Sequence, residues 1–162
     1  MIPDIPPGGK RIVKAPARPG AWLGWCDASI QGRRYSGGLV LFEPPGTSFE
    51  RGLVFGEEGR DSTQAEILAL KALLEWAREH TTRLIGMLDS YEALAHVLRA
   101  MADPRDVRYP ETLLVVHLMD RFQELELRNV PRSKNKEADA LAHKALQARP
   151  TRLFFSDAKP AA

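Results

Sequence analysis

Ser62–His80 reads STQAEILALKALLEWAREH, and its apolar residues recur at the spacing of a helix. At about 100° per residue, Lys71 falls on one side of that helix, while Leu70 and Leu73 fall on the other. Glu66 falls on the apolar side with the leucines. A carboxylate directed at a protein interior is costly unless it is paired, hydrogen-bonded or bound to a metal. The stretch therefore predicts an amphipathic helix whose inward acid has a specific partner, and pairing with an arginine stays open beside metal binding.

The composition is that of one globular domain. The chain has 162 residues, 44% of them hydrophobic and 27% charged, which is enough to bury a core. Its formal net charge is only +2, so a polyanionic partner would have to be recognised by local charge. Cys26 is the single cysteine and cannot form an internal disulfide. With no apolar stretch long enough to cross a bilayer and no signal-type start, we expect a cytoplasmic monomer with no membrane partner.

Three segments differ in composition. Residues 1–20 hold five of the chain's 12 prolines and have a net charge of +3, from Lys10, Arg11, Lys14 and Arg18 against Asp4. We expect a flexible basic extension there, with or without contact to nucleic acid. Residues 21–150 carry the periodic patterns of a folded domain. Residues 151–162 form a tail that either packs on the core or trails free.

The order of the predicted elements indicates an α/β fold. After residue 20 we expect three strands in an antiparallel meander, the long helix with Thr63 as its cap, a buried strand, two helices, a last strand and a final helix. Helical crossovers return the chain to the same edge, so the later strands should run parallel to the first in a mixed sheet. In such sheets, chemistry collects at the carboxyl ends of the strands.

Four acids are candidates for one site. Asp27 follows the apolar run AWLGWC, Asp89 follows LIGML, and Asp139 lies in the first turn of the last helix. Taken singly, these aspartates also fit a turn, a helix cap and a helix-dipole partner. Together with Glu66 they can converge on one cleft, where they would repel one another unless divalent cations held them together. Magnesium and manganese prefer such oxygen ligands, and two metal ions suit in-line phosphodiester cleavage.

Four sequence blocks resemble the motifs of the ribonuclease H type 1 superfamily. In chain order they are WCDASIQGRRYSGGLVLF, STQAEILALKALLEWA, MLDSYEALAHVL and VPRSKNKEADALAHKAL. The last has the form V-x-R-x-x-N-x-x-A-D-x-L-A and is similar to the short reverse-transcriptase-like ribonuclease H branch. The resemblance implies a ribonuclease H-like fold, a five-stranded mixed sheet in 3-2-1-4-5 order flanked by helices. It also implies a metal-dependent endonuclease that hydrolyses the RNA strand of RNA–DNA hybrids and leaves 5′-phosphate and 3′-hydroxyl ends.

The resemblance implies a role for each acid. Asp27 would bridge two magnesium ions, for which manganese could substitute, when substrate is bound. Asp139 would help to hold the ion that activates the attacking water. Glu66 and Asp89 would hold the ion at the leaving 3′ oxygen. Asn135, one turn before Asp139, would support the ligands without touching the metal.

The pattern departs from the family around the substrate. Many bacterial members have a histidine in a loop before the last helix, but that loop is short here, and we assign His143 no catalytic role. Ser62 and Thr63 stand where asparagines are usual. With Gln64 they could still donate hydrogen bonds to the 2′-hydroxyl groups of RNA.

Local basic residues leave several readings open. Arg33, Arg132 and Lys134 fit phosphate contacts as well as they fit solvated loops. Double-stranded RNA stays open as a second substrate. A catalytically inactive nucleic-acid-binding module and another nuclease of the wider superfamily are the alternative functions; the complete set of four acids argues against the first, and the N-x-x-A-D helix against the second.

Overall fold

The computed structural model describes residues 11–56, 61–147 and 154–160. Within these ranges seven strands form one sheet: β1 Arg11–Ala15, β2 Trp22–Gln31, β3 Arg34–Glu43, β4 Thr47–Gly56, β5 Arg83–Leu88, β6 Glu124–Asn129 and β7 Phe154–Pro160. The helices are α1 Ser62–Ala77, α2 Tyr91–Ala102, α3 Glu111–Met119 and α4 Lys136–Gln147, with a short 3-10 helix at Arg132–Lys134. None of the helices in the described part of the chain has the length and apolar character needed to cross a membrane.

The sheet order is β1-β6-β5-β2-β3-β4-β7. β2, β3 and β4 pair antiparallel, whereas β5 pairs parallel with both β2 and β6. Its five central strands are the predicted ones in the predicted order, which confirms the ribonuclease H-like fold class. The strand count is larger than expected, because β1 adds to the edge beside β6 and β7 adds to the edge beside β4.

Part of the expected extension belongs to the sheet. Arg11–Ala15 contains no proline and pairs antiparallel with β6, with Ile12 buried in the core. The segment between β1 and β2 is held to β6 by Arg18. Its backbone N–H donates to the Glu124 carboxylate at 2.7 Å, and its guanidinium group donates to the same carboxylate at 2.9 Å. The expectation of a loose segment was wrong here because the prolines flank this strand and do not interrupt it. Residues 1–10 of the expected extension lie outside the described residues.

The apolar face of α1 lies in the main core. Ile67, Leu70 and Leu73 are fully buried there against the inward side chains of the sheet, such as Leu39 and Leu84. This arrangement confirms the amphipathic helix that the sequence predicts. It also turns the first part of α1 toward the carboxyl ends of β2 and β5.

Two adjacent glycines let the helices approach both faces of β3. A Cβ atom on Gly37 would lie 2.6 Å from the ring of Phe55 and 3.6 Å from Ala69 of α1. A Cβ atom on Gly38 would overlap the carbonyl oxygen of Ala138 and lie 2.6 Å from the backbone nitrogen of Ala142, both in α4. Because successive strand residues point to opposite faces, α1 and α4 lie on opposite sides of the sheet. Gly38 allows α4 to pack with its backbone directly on β3.

Candidate active site

Asp27 and Asp89 come together through the register of two parallel strands. The pairing of β2 with β5 ends at Cys26 and Leu88; Asp27 is the next residue of β2, and Asp89 is the first residue after β5. β2 itself continues to Gln31 in its hairpin with β3, so Asp27 lies within the strand. The apolar run before Asp27 had suggested that this residue ends the strand, which was wrong. The two carboxylates therefore meet where β5 ends and β2 goes on.

Glu66 enters the same group from α1. Oxygen atoms of Asp27, Glu66 and Asp89 all lie within 4.8 Å of one another. One Glu66 oxygen accepts a hydrogen bond from the backbone N–H of Ala28 at 3.3 Å. The other is buried and has no hydrogen-bond donor among the described residues. A buried carboxylate oxygen without a donor and two further carboxylates at this distance fit a divalent cation, and the three residues could bind one.

Burial and mutual repulsion perturb these acids. Desolvation, followed by the charge of Asp89, raises the pKa of Asp27 from 3.8 to about 7. Desolvation, followed by the charge of Asp27, raises the pKa of Glu66 from 4.5 to about 9. Without a cation, the fold therefore disfavours the fully ionised cluster. A bound cation would stabilise the ionised forms and reverse this effect.

Asp139 lies beside the three-carboxylate cluster. Its side chain is within hydrogen-bonding contact of Asp27, a contact that also raises the pKa of Asp27. The group within 4.8 Å consists of Asp27, Glu66 and Asp89 and does not include Asp139. Asp27 is thus the acid that links Glu66 on one side to Asp139 on the other.

Asn135, just before α4, contacts both β2 and the residue that follows β5. Its amide nitrogen donates to the carbonyl oxygen of Cys26 at 2.9 Å and lies 3.4 Å from a carboxylate oxygen of Asp89. Its residue exposure is only 1%. The backbone carbonyl oxygen of Asn135 accepts the first hydrogen bond of α4, from the backbone N–H of Asp139 at 3.1 Å. The supporting role of Asn135, which the sequence resemblance implies, stays a prediction.

Asp61 is the N-cap of α1, and the expectation that Thr63 caps this helix was wrong. One Asp61 oxygen accepts the backbone N–H of Gln64 at 2.8 Å, and the other accepts the Tyr109 hydroxyl at 2.7 Å. An aspartate is a stronger N-cap than a threonine, and its charge also suits the positive end of the helix. The cap therefore lies two residues before the predicted position.

The three polar residues after this cap differ in exposure. Ser62 is exposed, whereas Thr63 and Gln64 are buried. The Thr63 hydroxyl donates to Glu92 at 2.9 Å, and the Gln64 amide donates to Glu111 at 2.8 Å. The Thr63 hydroxyl proton and one of the two Gln64 amide protons are thus engaged by carboxylates of α2 and α3.

The basic candidates lie at the surface. Gly32 has a φ of +61° and makes the tight turn of the β2–β3 hairpin, which places Arg33 at the exposed tip. Arg132 and Lys134 are exposed in the 3-10 helix that precedes α4. Their contact with phosphate stays a prediction.

His143 is a neighbour of the site that sequence reasoning missed. One ring nitrogen lies 3.4 Å from Asp139, one helical turn earlier, and the other lies 3.3 Å from the Ser29 hydroxyl on β2. The i, i+4 spacing from Asp139 was the available signal. The contact with Ser29 joins residues 114 positions apart and had no signal in the sequence.

The family model described as reverse transcriptase-like matches residues 26–145. The chain belongs to this family. The matched span contains all four acids of the predicted site. Membership in the ribonuclease H superfamily, which the four sequence blocks suggested, is therefore confirmed. No curated protein matches the chain in sequence.

Solved structures of the superfamily are similar to this family member. Ribonuclease H1 from the halophilic archaeon Halobacterium salinarum NRC-1 is 27% identical with a TM-score of 0.65, covering 77% of this chain and 96% of its own. LC11 ribonuclease H1, isolated from compost and solved in complex with an RNA/DNA hybrid, is 22% identical with a TM-score of 0.62, covering 77% and 96%. The N-terminal ribonuclease H domain of a Mycobacterium tuberculosis protein, solved as a fusion with maltose-binding protein, is 21% identical with a TM-score of 0.60, covering 77% and 92%. The fold is thus that of ribonuclease H, and the likeness to the archaeal enzyme supports a nuclease of ribonuclease H type.

Proposed function

We propose that the protein is a divalent-cation-dependent endonuclease that hydrolyses the RNA strand of RNA–DNA hybrids, leaving 5′-phosphate and 3′-hydroxyl ends. The observation that carries the proposal is the cluster of Asp27, Glu66 and Asp89 within 4.8 Å, with one buried Glu66 oxygen that has no donor in the described part of the chain. The complex of LC11 ribonuclease H1 with an RNA/DNA hybrid supports the choice of substrate.

The carboxylates of this cluster would hold magnesium, or manganese in its place. Two divalent cations at such a site supply charge stabilisation for the attacking and leaving oxygens of an in-line displacement. Asp27 contacts both Glu66 and Asp139, which supports a role for it as a ligand of both ions. Asn135 connects β2 to the residue after β5 through its hydrogen bonds to Cys26 and Asp89. We assign it a supporting role in the order of the ligands.

Recognition of RNA is assigned to the start of α1. Ser62 is exposed there and can meet the substrate directly. Because Thr63 donates its only hydroxyl proton to Glu92 and Gln64 donates one amide proton to Glu111, their side-chain oxygens would accept a hydrogen bond from a 2′-hydroxyl group. This polarity favours RNA, since DNA has no such donor. It is opposite to the donation that the sequence alone suggested.

Phosphate contacts are assigned to three exposed basic residues. Arg33 at the hairpin tip and Arg132 and Lys134 before α4 flank the end of the sheet that carries the acids. Each phosphate contact of this kind adds to the salt dependence of binding. Double-stranded RNA remains a candidate second substrate, because its strands also present 2′-hydroxyl groups.

A cleavage assay with each strand labelled separately tests the function. RNA–DNA, RNA–RNA and DNA–DNA duplexes are incubated with magnesium, with manganese and with chelator. We expect cleavage of the RNA strand of the hybrid with either metal, no cleavage of DNA, and no reaction with chelator. Products with cyclic phosphate ends would contradict the mechanism, because such ends require the 2′-hydroxyl group as nucleophile. Hybrid binding without cleavage would instead identify a catalytically inactive binding module.

A further inference from the structure

The imidazole of His143 connects the sheet to Asp139. Its Nδ1 lies 3.3 Å from Oγ of Ser29 on β2, and its Nε2 lies 3.4 Å from a carboxylate oxygen of Asp139. Ser29 is buried, whereas the side chain of His143 is 61% exposed. The three side chains form a continuous polar chain that begins in the sheet and ends at an acid of the candidate site.

The chemistry of these groups fixes the direction of donation. A carboxylate can only accept, so Nε2 of His143 must carry the proton that it shares with Asp139. A neutral imidazole has one donor and one acceptor nitrogen, which leaves Nδ1 to accept the hydroxyl proton of Ser29. The Asp139 carboxylate thereby selects the tautomer protonated at Nε2, and the Ser29 hydroxyl, which can donate or accept, donates to Nδ1 in that tautomer.

The place of His143 is fixed from two strands. Ser29 pairs across the β2–β3 hairpin with Ser36, so both side chains point to the face that α4 covers. The Ser36 hydroxyl donates to the carbonyl oxygen of Ala142 at 2.6 Å, immediately before His143 in the chain. Ser36 thus holds the backbone of α4, and Ser29 holds the imidazole of His143.

We propose that His143 is a positioning residue that orients the Asp139 carboxylate next to Asp27, with Ser29 holding the imidazole through Nδ1. The inference rests on the proposed function, in which Asp139 helps to hold a cation. Groups that hydrogen-bond a metal ligand from outside set its orientation, and their loss typically lowers metal affinity or activity by about 10–100-fold. The role differs from that of the loop histidine of many bacterial relatives, which is missing from the loop before α4.

Cleavage of the hybrid as a function of magnesium concentration tests the proposal in three variants. His143→Leu removes the donor to Asp139, and we expect it to need about 10–100-fold more magnesium for half-maximal rate. His143→Gln retains an amide donor near the position of Nε2, and its requirement should stay within about threefold of the wild type's. The matched control is His117→Leu on α3, which replaces an exposed helical histidine outside the site and should change nothing.

A double-mutant comparison separates the polar chain from independent effects. If Ser29 acts through His143, then Ser29→Ala should weaken the response to magnesium in the wild type and have no further effect in His143→Leu. Nitrogen-15 NMR of the wild-type imidazole in chelator should show the tautomer protonated at Nε2. Ser29→Ala removes the donor to Nδ1 and should shift the Nδ1 resonance while Nε2 stays protonated; a Ser29 that acts only elsewhere in the fold would leave that resonance unchanged.

Three results would overturn the proposal. The first is an unchanged magnesium requirement in His143→Leu, and the second is a His143→Gln variant as impaired as His143→Leu while melting like the wild type. The third is an imidazole protonated at Nδ1. A wild-type protein that cuts no hybrid would refute the proposed function, and the NMR tautomer of His143 would then decide the geometry of the polar chain by itself.

Discussion

Replacing Asp27 by asparagine should abolish cleavage and stabilise the metal-free protein. Asp27 is buried with 3% exposure, and desolvation raises its pKa from 3.8 to about 7. This difference of roughly three pH units, at about 1.4 kcal/mol each, corresponds to a destabilisation of about 4 kcal/mol once Asp27 is ionised at pH 8. Protonation of Glu66 relieves part of that cost, so we expect the asparagine variant to be about 1–3 kcal/mol more stable in chelator. Its midpoint should be about 2–10 °C higher.

Thermal melts at pH 8, with chelator and with millimolar magnesium, measure the effect. Magnesium should raise the wild-type midpoint more than that of the variant, because the stabilisation by a ligand of the native state grows with the logarithm of its affinity and the variant has lost one carboxylate ligand. Asparagine can still hydrogen-bond to the neighbouring acids, so loss of activity would reflect the lost ligand and not a lost fold. Asp106→Asn, the same chemical change at an exposed residue, is the matched control and should leave melting and cleavage unchanged.

The opposite pattern would refute the reasoning. If Asp27 is only a turn or strand residue, its asparagine variant should melt slightly lower than the wild type, show no altered response to magnesium and keep its activity. An active variant would remove the ligand that links Glu66 to Asp139. The metal-site assignment would then fail as a whole.

Three further predictions concern pH, packing and salt. The raised pKa values of Asp27 and Glu66, about 7 and about 9, mean that the native state binds more protons than the unfolded chain between about pH 4 and pH 9. Stability in chelator should therefore fall as pH rises through that window, and urea titrations should show a flatter profile with magnesium. Gly38→Ala should cost at least about 2 kcal/mol in a thermal melt, because its Cβ would overlap the backbone of α4. Replacing Arg132 and Lys134 together by alanine should reduce the slope of hybrid affinity against salt, measured by fluorescence anisotropy.

Each of these three predictions has a result that would contradict it, and the packing and salt predictions have control variants in the same chain. A metal-free stability that rises across the pH window would contradict the first. Gly24→Ala should cost less than Gly38→Ala, because the new methyl would meet the movable side chain of Leu73 at 3.0 Å and not a backbone; equal costs would count against the packing argument. Alanine at Arg78 and Arg121, both exposed, should leave the salt slope unchanged. If the double variant of the 3-10 helix behaves like this control pair, that helix is a solvated loop.

The sequence predicts the central sheet and the inward acid well because both depend on local periodicity. The apolar runs before Asp27 and Asp89 define strands whose register then places these acids side by side. Glu66 is conspicuous because it interrupts the apolar face of a regular helix. Such signals lie within a few residues of the feature they predict, so one chain is enough to show them.

The features that were missed depend on contacts between distant parts of the chain. Arg11–Ala15 is short and lies between prolines, and its place in the sheet is set by pairing with β6. The imidazole of His143 gains its meaning only when α4 packs on the β2–β3 hairpin. The residue type of Asp61 was an available signal for the N-cap of α1, but its contact with the Tyr109 hydroxyl, 48 residues away, was not. Composition and periodicity contain no information on such long-range contacts.

The adjacent glycines of β3 bring α1 and α4 to the candidate cation site from opposite faces of the sheet. Because Gly37 allows the close approach of α1 and Gly38 that of α4, Glu66 from one face of the sheet and Asp139 from the other both reach Asp27. A cation held there would fasten both helices to the sheet at once. Detachment of either helix would release the ion, so ion occupancy should report on the cohesion of the whole domain. In hydrogen exchange, magnesium should then slow the amides of α1 and α4 together, including those in turns far from any ligand.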